Sequence, residues 1–266
     1  MNYAELPPTV DSLVLILEKL RAPGGCPWDR AQTSQTLSRC LTEECAELLE
    51  AIDAGNQAAI CDELGDCLLN IVLQAVVAKE EGHFDLTAVI ANVNAKMIRR
   101  HAHVFGDESA ESATDALHVW EKIKSAENRP KRDSLLDGMP NELSALNTAE
   151  KIQRKAAKVG FDWASEEQLI DKLIEELEEF KYARLHESPE AADAELGDIF
   201  FVVANLARFR NRKSAEELLR AANRKFVRRF KFIESELRKK GIPLETATLA
   251  EMDALWNLAK TTEAPL

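Results

Sequence analysis

The apolar residues of this chain recur at intervals of three and four positions along most of its 266 residues. That spacing puts them on one face of an α-helix, whereas the alternation expected of a half-buried strand is nearly absent. Turn-forming clusters separate the periodic segments, as in APGGCPWD at 22–29 and DAGNQ at 53–57. The pattern predicts an all-α protein with ten helices, near residues 9–21, 33–54, 57–81, 86–101, 113–127, 143–158, 166–186, 190–210, 214–240 and 248–260.

Four short motifs occur twice, in the same order and with similar gaps between them. EExxE and ELGD recur with an offset of 132 residues, and KxxRR and WxxxK follow each of these pairs. One shared motif could arise by chance between two acidic helical segments, but an ordered set of four indicates a duplication. The copies are EExxE at 43–47 and 175–179, ELGD at 63–66 and 195–198, KxxRR at 96–100 and 225–229, and WxxxK at 120–124 and 256–260.

A segment between the two sets of motifs has the composition of a linker. NRPKRDSLLDGMPNE, at 128–142, contains two prolines, one glycine and charges of both signs. We therefore expect two tandem copies of a four- to five-helix unit, residues 1–127 and 143–266, joined by a linker at 128–142.

Composition and charge exclude several classes of protein. The formal net charge is −12 and the isoelectric point is about 5.1, which argues against non-specific binding to nucleic acid or to an anionic membrane. No apolar run approaches the roughly 20 residues of a membrane span, and the N-terminus lacks a signal-peptide pattern. The five cysteines are odd in number and form no CxxC, so reduced, mostly buried thiols in a cytoplasmic protein are expected.

The first EExxE–ELGD region carries more negative charge than a half-buried helix pair should tolerate. From Glu43 to Asp66 it holds eight acidic residues and no lysine or arginine. On a helical wheel Glu44 and Glu47 fall about 100° and 40° from Glu43, beside the aliphatic face rather than opposite it. The short turn at 53–57 makes the two helices antiparallel neighbours, so four or five carboxylates can converge across their groove.

Converging carboxylates resist ionisation unless a cation compensates them, and hard divalent cations suit an all-oxygen site. The repeated acidic region therefore predicts a metal site in each copy, with Mg²⁺ as the expected ion and Mn²⁺ as an alternative. A solvated helix face is the usual explanation of a lone EExxE, but the second ELGD at the same spacing favours metal binding.

The basic and aromatic motifs extend this prediction from a metal to a substrate. KxxRR supplies three cations within about a turn and a half of helix, which fits a polyphosphate held between metal and cations. WxxxK places an aromatic face one turn from an ammonium group and could cover a base and a phosphate. Ordinary surface lysines and arginines, and a tryptophan in the core or an interface, remain the alternatives for these motifs.

Two other classes of function fit parts of the pattern. A ferritin-like di-iron bundle needs ExxH on two helices, and here only Glu80 and His83 match, at a helix end beside Gly82. A non-catalytic dimeric nucleotide-binding scaffold or sensor would explain the duplication, but the acidic residues are intact in both copies.

Taken together, these residues resemble the MazG family of nucleoside triphosphate pyrophosphohydrolases, within the all-α NTP pyrophosphatase superfamily. GGCPWDRAQT at 24–33 and KMIRRHAHVFGD at 96–107 are similar to the family's entry to its first metal helix and to its basic segment. Ala102 stands where members usually carry proline. SLLDGMP at 134–140 and KIQRKAAKVGFDW at 151–163 resemble its linker and second-copy entry, so the resemblance covers nearly the whole chain.

The resemblance implies Mg²⁺-dependent hydrolysis of nucleoside and deoxynucleoside triphosphates to a monophosphate and pyrophosphate by a helix-packed homodimer. Water would attack between the α- and β-phosphates, with the phosphorus attacked and the carboxylate acting as base left open. Base preference, and whether one or both copies are active, also stay open. The implied catalytic and metal residues of the second copy are Glu176, Glu179, Glu195 and Asp198, matched in the first copy by the metal ligands Glu44, Glu47, Glu63 and Asp66. The implied substrate-binding residues are Lys172, Glu175, Lys225, Arg228, Arg229 and Trp256.

One difference between the copies indicates that the second is the main catalytic unit. Lys172 stands one turn before Glu176, and the equivalent position of the first copy is Cys40. A lysine on the helix face of the site can reach a triphosphate or orient a carboxylate, whereas a thiol supplies no positive charge. A solvent-facing Lys172 that merely pairs with Glu176 is the alternative.

Overall fold

The computed structural model describes residues 2–127, 134–139 and 143–262, and over these residues the regular structure is helical, with no strand. The chain divides into two compact units, Met1–Asn128 and Arg129–Leu266. In the first unit the helices are α1 (Val10–Arg21), α2 (Pro27–Ala31), α3 (Ser34–Ala54), α4 (Gln57–Glu80), α5 (Leu86–Arg100), α6 (Ala102–Phe105) and α7 (Ala113–Ala126). In the second they are α8 (Ala145–Ala157), α9 (Glu166–His186), α10 (Pro189–Arg210), α11 (Ala215–Lys239) and α12 (Leu249–Thr262).

The all-α, two-copy fold class is confirmed, and each of the ten predicted helices is present with its ends displaced by at most two residues. Two helices were missed, α2 and α6, because one turn or a little more carries too few apolar positions to show a period. Pro27 occupies the first turn of α2, where a missing N–H costs nothing, so proline opens a helix inside a segment predicted as a turn. Of the predicted linker, residues 128–133 and 140–142 lie outside the described residues, and the linker stays a prediction.

Short polar side chains set where the long helices begin. Thr33, Ser112 and Ser214 each accept a hydrogen bond from the backbone N–H three residues on, and the side chain at that position accepts one from the backbone N–H of the cap residue. These reciprocal capping boxes satisfy N–H groups that the helix itself leaves without partners. At its other end α3 stops at Gly55, whose φ of 68° is the left-handed conformation that glycine adopts without strain.

The first unit is built on the antiparallel pair α3 and α4, against which α1 packs. Its core lies where these three helices meet. The most buried members are aliphatic and are less than 5% exposed: Leu17, Leu37, Val72, Leu73, Val76 and Val77. Burying such side chains contributes roughly 1.5–3 kcal/mol each, so this seam is the main stabilising contact of the unit.

The second unit repeats the arrangement with smaller core residues. Its long pair is α9 and α10, and α8 packs on α10 as α1 packs on α4. Ala204 and Ala207 of α10 and Ala215 of α11 form the buried cluster here. A second cluster, around Ile233, Leu237 and Leu255, joins α11 to α12.

None of the described helices combines the length and apolarity that crossing a bilayer requires. All five cysteines are free thiols, but the expectation that most are buried is wrong, because Cys67 is buried whereas Cys45 and Cys61 are exposed on the acidic helix pair.

An ion-pair cluster ties α5 to the end of α7 in the first unit. Glu127 accepts hydrogen bonds from Arg99 at 2.8 Å and from Arg100 at 2.6 Å, and the Arg100 guanidinium lies 5.1 Å from the centre of the Trp120 ring. These two hydrogen bonds, Arg100 first, lower the pKa of Glu127 to about 2. Two cations of the first KxxRR motif are thus already paired within their own unit.

This tie predicts a specific pH dependence of stability. Since the folded pKa of Glu127 lies below its unfolded value of 4.5, its stabilising contribution is present above about pH 4.5 and is lost as the pH falls towards 2. Glu127→Gln should therefore lower the free energy of unfolding at pH 6, and the difference from wild type should vanish near pH 2. Urea unfolding across this range measures it. Glu5→Gln, at an exposed carboxylate, is the matched control, and a difference that does not change with pH would contradict the prediction.

Candidate active site

The second unit brings three carboxylates together across the α9–α10 seam. One oxygen from each of Glu176, Glu179 and Glu195 lies within 4.8 Å of the other two. Glu176 is buried, with 6% of its surface exposed, whereas Glu179 is exposed and Glu195 lies between these extremes. An antiparallel helix pair with acids at i and i+3 on one helix and a facing acid on the other accounts for this convergence.

The first unit forms a related but different group across α3 and α4. Here the converging residues are Glu44, Glu63 and Asp66, again within 4.8 Å of one another. Glu47 and Asp198, the fourth predicted ligands of the two units, lie outside these sets, and both are exposed. Each still acts electrostatically, because Glu47 raises the pKa of Glu63 and Asp198 raises that of Glu195.

Three of the converging carboxylates resist ionisation. Burial, followed by repulsion from neighbouring acids, raises the pKa of Glu44, Glu63 and Glu195 above the ordinary value. The Oε2 atom of Glu63 is also buried without a hydrogen-bond partner among the described residues. A divalent cation would relieve both the repulsion and the missing contact, and the donors are all oxygens. The residues present therefore fit a hard divalent ion in each unit.

The two groups contain no histidine among the residues that the structure describes. His83, the histidine of the one ExxH match, is exposed, and its Nε2 lies 3.6 Å from Glu81 Oε2. The geometry gives the ferritin-like alternative no support.

Lys172 is placed as its spacing predicts, and it faces the carboxylates. Its Nζ lies 2.9 Å from Glu176 Oε1 and 2.7 Å from Glu175 Oε1. These contacts raise the pKa of Lys172, so the ammonium charge is secure at neutral pH. In the first unit the equivalent residue, Cys40, donates only a weak hydrogen bond to the Thr36 backbone. The second unit therefore has a built-in cation beside its buried carboxylate.

The predicted cationic and aromatic residues lie on other helices of the second unit. Lys225 and Arg228 are exposed on α11, and the Arg229 guanidinium lies 5.4 Å from the centre of the Trp256 ring. The centre of the Phe226 ring lies 5.2 Å from the centre of the Trp256 ring. Because α11 packs on α8 and α10, these groups belong to the same unit as the carboxylates but not to the carboxylate cluster itself.

A cavity adjoins the carboxylates of the second unit, and sequence reasoning missed it. It has a volume of about 630 Å³, and Lys172, Glu176 and Asp198 lie on its wall. The remaining wall comes from Leu136, α8, α10 and the turn before α9, and its polar members are Gln153, Asp162, Asn205 and Arg208. These four polar residues are dispersed over 56 positions. Gln153 and Asp162 lie in KIQRKAAKVGFDW at 151–163, which the family resemblance contains, but none of the quoted motifs includes Asn205 or Arg208.

Comparison with known proteins matches both halves of the chain to one family. The family model for the MazG nucleotide pyrophosphohydrolase domain matches residues 32–105 and 164–233, and these ranges contain both carboxylate groups. The chain is 44% identical over 250 residues to the nucleoside triphosphate pyrophosphohydrolase/pyrophosphatase MazG of Thermotoga maritima, covering 94% of this chain and 95% of that protein. It is 40% identical over 261 residues to the nucleoside triphosphate pyrophosphohydrolase of Escherichia coli K12, covering 97% and 99%.

Among solved structures, the crystal structure of a mazG-related protein from Thermotoga maritima matches with 32% identity and a TM-score of 0.38. The match covers 44% of this chain and 99% of that one.

The carboxylate groups predict a measurable effect of divalent cations on stability. An ion that binds only the folded state stabilises it by about 2.7 kcal/mol at a hundredfold excess over Kd, which corresponds to roughly 5–10 °C in Tm. We expect Mg²⁺ or Mn²⁺ to raise Tm at pH 8. The shift should be smaller at pH 5, because carboxylates with raised pKa values are then partly protonated and compete less well for metal.

Glu63→Gln and Glu195→Gln should each reduce this shift, and the double variant should remove most of it. Sodium chloride at matched ionic strength is the control. A shift that sodium reproduces, or that survives in the double variant, would contradict metal binding at these groups.

Proposed function

Because this chain belongs to the MazG family of nucleotide pyrophosphohydrolases, we propose that it hydrolyses nucleoside and deoxynucleoside triphosphates to a monophosphate and pyrophosphate. Two findings together support the proposal. Relatives named for this activity align over nearly the full length, and the aligned ranges contain converging carboxylates beside a cavity large enough for a nucleotide base and sugar.

The metal is proposed to be Mg²⁺, held in the second unit by Glu176, Glu179, Glu195 and Asp198. When bound, it supplies charge that stabilises the leaving pyrophosphate. Its preference for oxygen ligands matches this set of carboxylates, which would hold the ion beside the phosphates of the substrate. The equivalent set in the first unit is Glu44, Glu47, Glu63 and Asp66.

The side chains of the second unit have separate tasks in this proposal. Lys172 holds the buried Glu176 in one orientation and places a positive charge on the cavity wall, where phosphates enter. Glu175 shares that ammonium group and so fixes its position at 2.7 Å. Lys225, Arg228 and Arg229 bind phosphate oxygens, with Trp256 packed against the nucleotide. A carboxylate of the cluster orients the attacking water and accepts its proton.

The second unit is proposed to be the main catalytic one. Lys172 and the adjoining cavity both belong to it, whereas the first unit has Cys40 at the equivalent position. The first unit then retains metal binding with a structural or regulatory role.

Matched substitutions distinguish the two units. Glu63 and Glu195 occupy equivalent positions, and both have raised pKa values. Glu195→Gln should reduce pyrophosphate release from ATP and dATP by about a hundredfold or more, because it removes a metal ligand or base from the reaction. Glu63→Gln should leave most of the activity. If Glu63→Gln silences the enzyme while Glu195→Gln does not, the first unit is the catalytic one. If both variants keep full activity, the metal assignment fails.

A homodimer is proposed from apolar surface that both units leave uncovered at the same helical positions. Side chains at three pairs of equivalent positions on α4 and α10 are 38–58% exposed: Leu64 and Leu196, Leu68 and Phe200, Ile71 and Val203. Apolar patches of this extent are rarely left in water, and two helix pairs packed face to face would bury them. A second copy of the chain presents the same faces and is the occupant that we propose.

The mass in solution tests this assembly. We expect about twice 29.7 kDa by light scattering at micromolar concentration, and a shift to 29.7 kDa for Phe200→Glu. Leu249→Glu is the matched control, because Leu249 is 72% exposed on α12 and lies outside the proposed face. A monodisperse wild-type mass of 29.7 kDa would contradict the dimer.

A further inference from the structure

The cavity of the second unit is largely apolar but holds a few polar groups in fixed orientations. Aliphatic and aromatic side chains form most of its wall, among them Ile152, Phe161, Trp163, Phe201 and Val202. Such walls suit a flat, weakly polar ring system, and the volume of about 630 Å³ falls within the range of small-ligand sites. The polar groups decide which ring system binds.

Gln153 lies on the cavity wall and carries an unpaired acceptor. The residue is 6% exposed, and its Nε2 donates to the backbone carbonyl of Phe201 at 2.8 Å. A carbonyl can only accept, so this bond fixes the orientation of the amide and leaves Oε1 as the free end. Oε1 is buried and has no partner among the described residues, which costs free energy unless a ligand supplies an N–H.

Asn205 presents a donor to the same cavity, and it is held by a relay of two charged residues. Its Oδ1 accepts from Arg208 Nε at 2.7 Å, and since arginine can only donate, the Nδ2 amino group must be the end available to a ligand. Arg208 in turn donates to Asp162 through both terminal nitrogens, one of them at 3.2 Å. Burial is the largest single influence on Asp162 and acts to raise its pKa, but the hydrogen bonds from Arg208 and the Trp163 backbone and the charge of Arg208 together lower it, which favours the ionised carboxylate.

The first unit is filled at the corresponding positions. With the offset of 132 residues, Asn205 and Arg208 correspond to Leu73 and Val76, which are 4% and 3% exposed within the aliphatic core. Their replacement by polar residues in the second unit removes apolar burial and demands hydrogen-bond partners. Contact of these polar groups with a ligand would explain why the second unit carries them at a loss of stability.

We propose that this cavity binds the base of the nucleotide substrate, and that Gln153 Oε1 and Asn205 Nδ2 read its hydrogen-bonding edge. That the ligand is a nucleotide rests on the proposed function, since the cavity shares Lys172, Glu176 and Asp198 with the phosphate-processing site. Nucleobases are planar and carry an N–H donor beside an acceptor, which complements an acceptor and a donor fixed in an apolar wall. Asp162 and Arg208 are positioning residues for Asn205.

The test measures base discrimination separately from turnover. Calorimetric titrations would use the α,β-methylene analogues of ATP, GTP, CTP and UTP with Mg²⁺, which cannot be cleaved between the α- and β-phosphates. Asn205→Asp keeps the acceptor for Arg208 but replaces the amino donor with an acceptor. Since guanine offers two adjacent donors, N1–H and its exocyclic amine, this variant should improve GTP analogue binding relative to the UTP analogue by about tenfold or more.

Gln153→Met, which keeps the length of the side chain but removes the acceptor, should weaken the preferred analogue by about tenfold and flatten the discrimination among the four. Asn70→Asp is the matched control, because Asn70 is a second buried amide, 6% exposed on α4, and its Nδ2 bonds the Asp66 carbonyl. It should leave the order of the four analogues unchanged.

The outcomes separate this inference from the proposed function. If pyrophosphate is released but Asn205→Asp keeps the wild-type order within twofold, or if Asn70→Asp changes the order equally, the base lies elsewhere and the inference fails. If Asn205→Asp reorders the analogues but no triphosphate is hydrolysed, the inference stands and the proposed function fails. Tm values of all variants confirm that each measurement is made on folded protein.

Discussion

Repulsion between like charges at a helix–helix seam is the constraint on which the rest of each unit depends. The long antiparallel pairs α3–α4 and α9–α10 must pack closely to bury their aliphatic faces, and the same packing brings three carboxylates within 4.8 Å of one another. Like charges at that separation cannot all ionise freely without compensation. Burial, and after it this repulsion, raises the pKa of Glu44, Glu63 and Glu195.

The two units differ in the positive charge that the protein places beside the converging carboxylates. In the second, Lys172 lies 2.9 Å from the buried Glu176 and supplies one positive charge from within the protein. In the first, Cys40 supplies none, and Glu44, the counterpart of Glu176, has a raised pKa. The two units thus share the same arrangement of helices, and a difference at one position, Lys172 or Cys40, changes the charge beside the carboxylates.

The two units also differ in how tightly the core beside the carboxylates is packed. In the first unit Leu73 and Val76 complete a tight aliphatic seam, whereas in the second Asn205 and Arg208 border a cavity of about 630 Å³. Cavities and buried polar groups both lower stability, so the second unit gives up apolar packing at the cavity that we propose as the base site.

The sequence alone determined the ten longer helices, the duplication and the types of residue that meet at each seam, because helical periodicity and capping are local properties. It could not determine that Glu44, Glu63 and Asp66 converge in one unit but Glu176, Glu179 and Glu195 in the other, since small rotations of packed helices decide which oxygens come closest. Glu127 pairs with Arg99 and Arg100, which lie 28 and 27 positions before it, and no motif in the sequence predicts this pairing. The cavity was also not predicted from the sequence: its lining comes from Leu136, α8, α9, α10 and the turn before α9, and a void is a property of packing, which exists only once those elements meet.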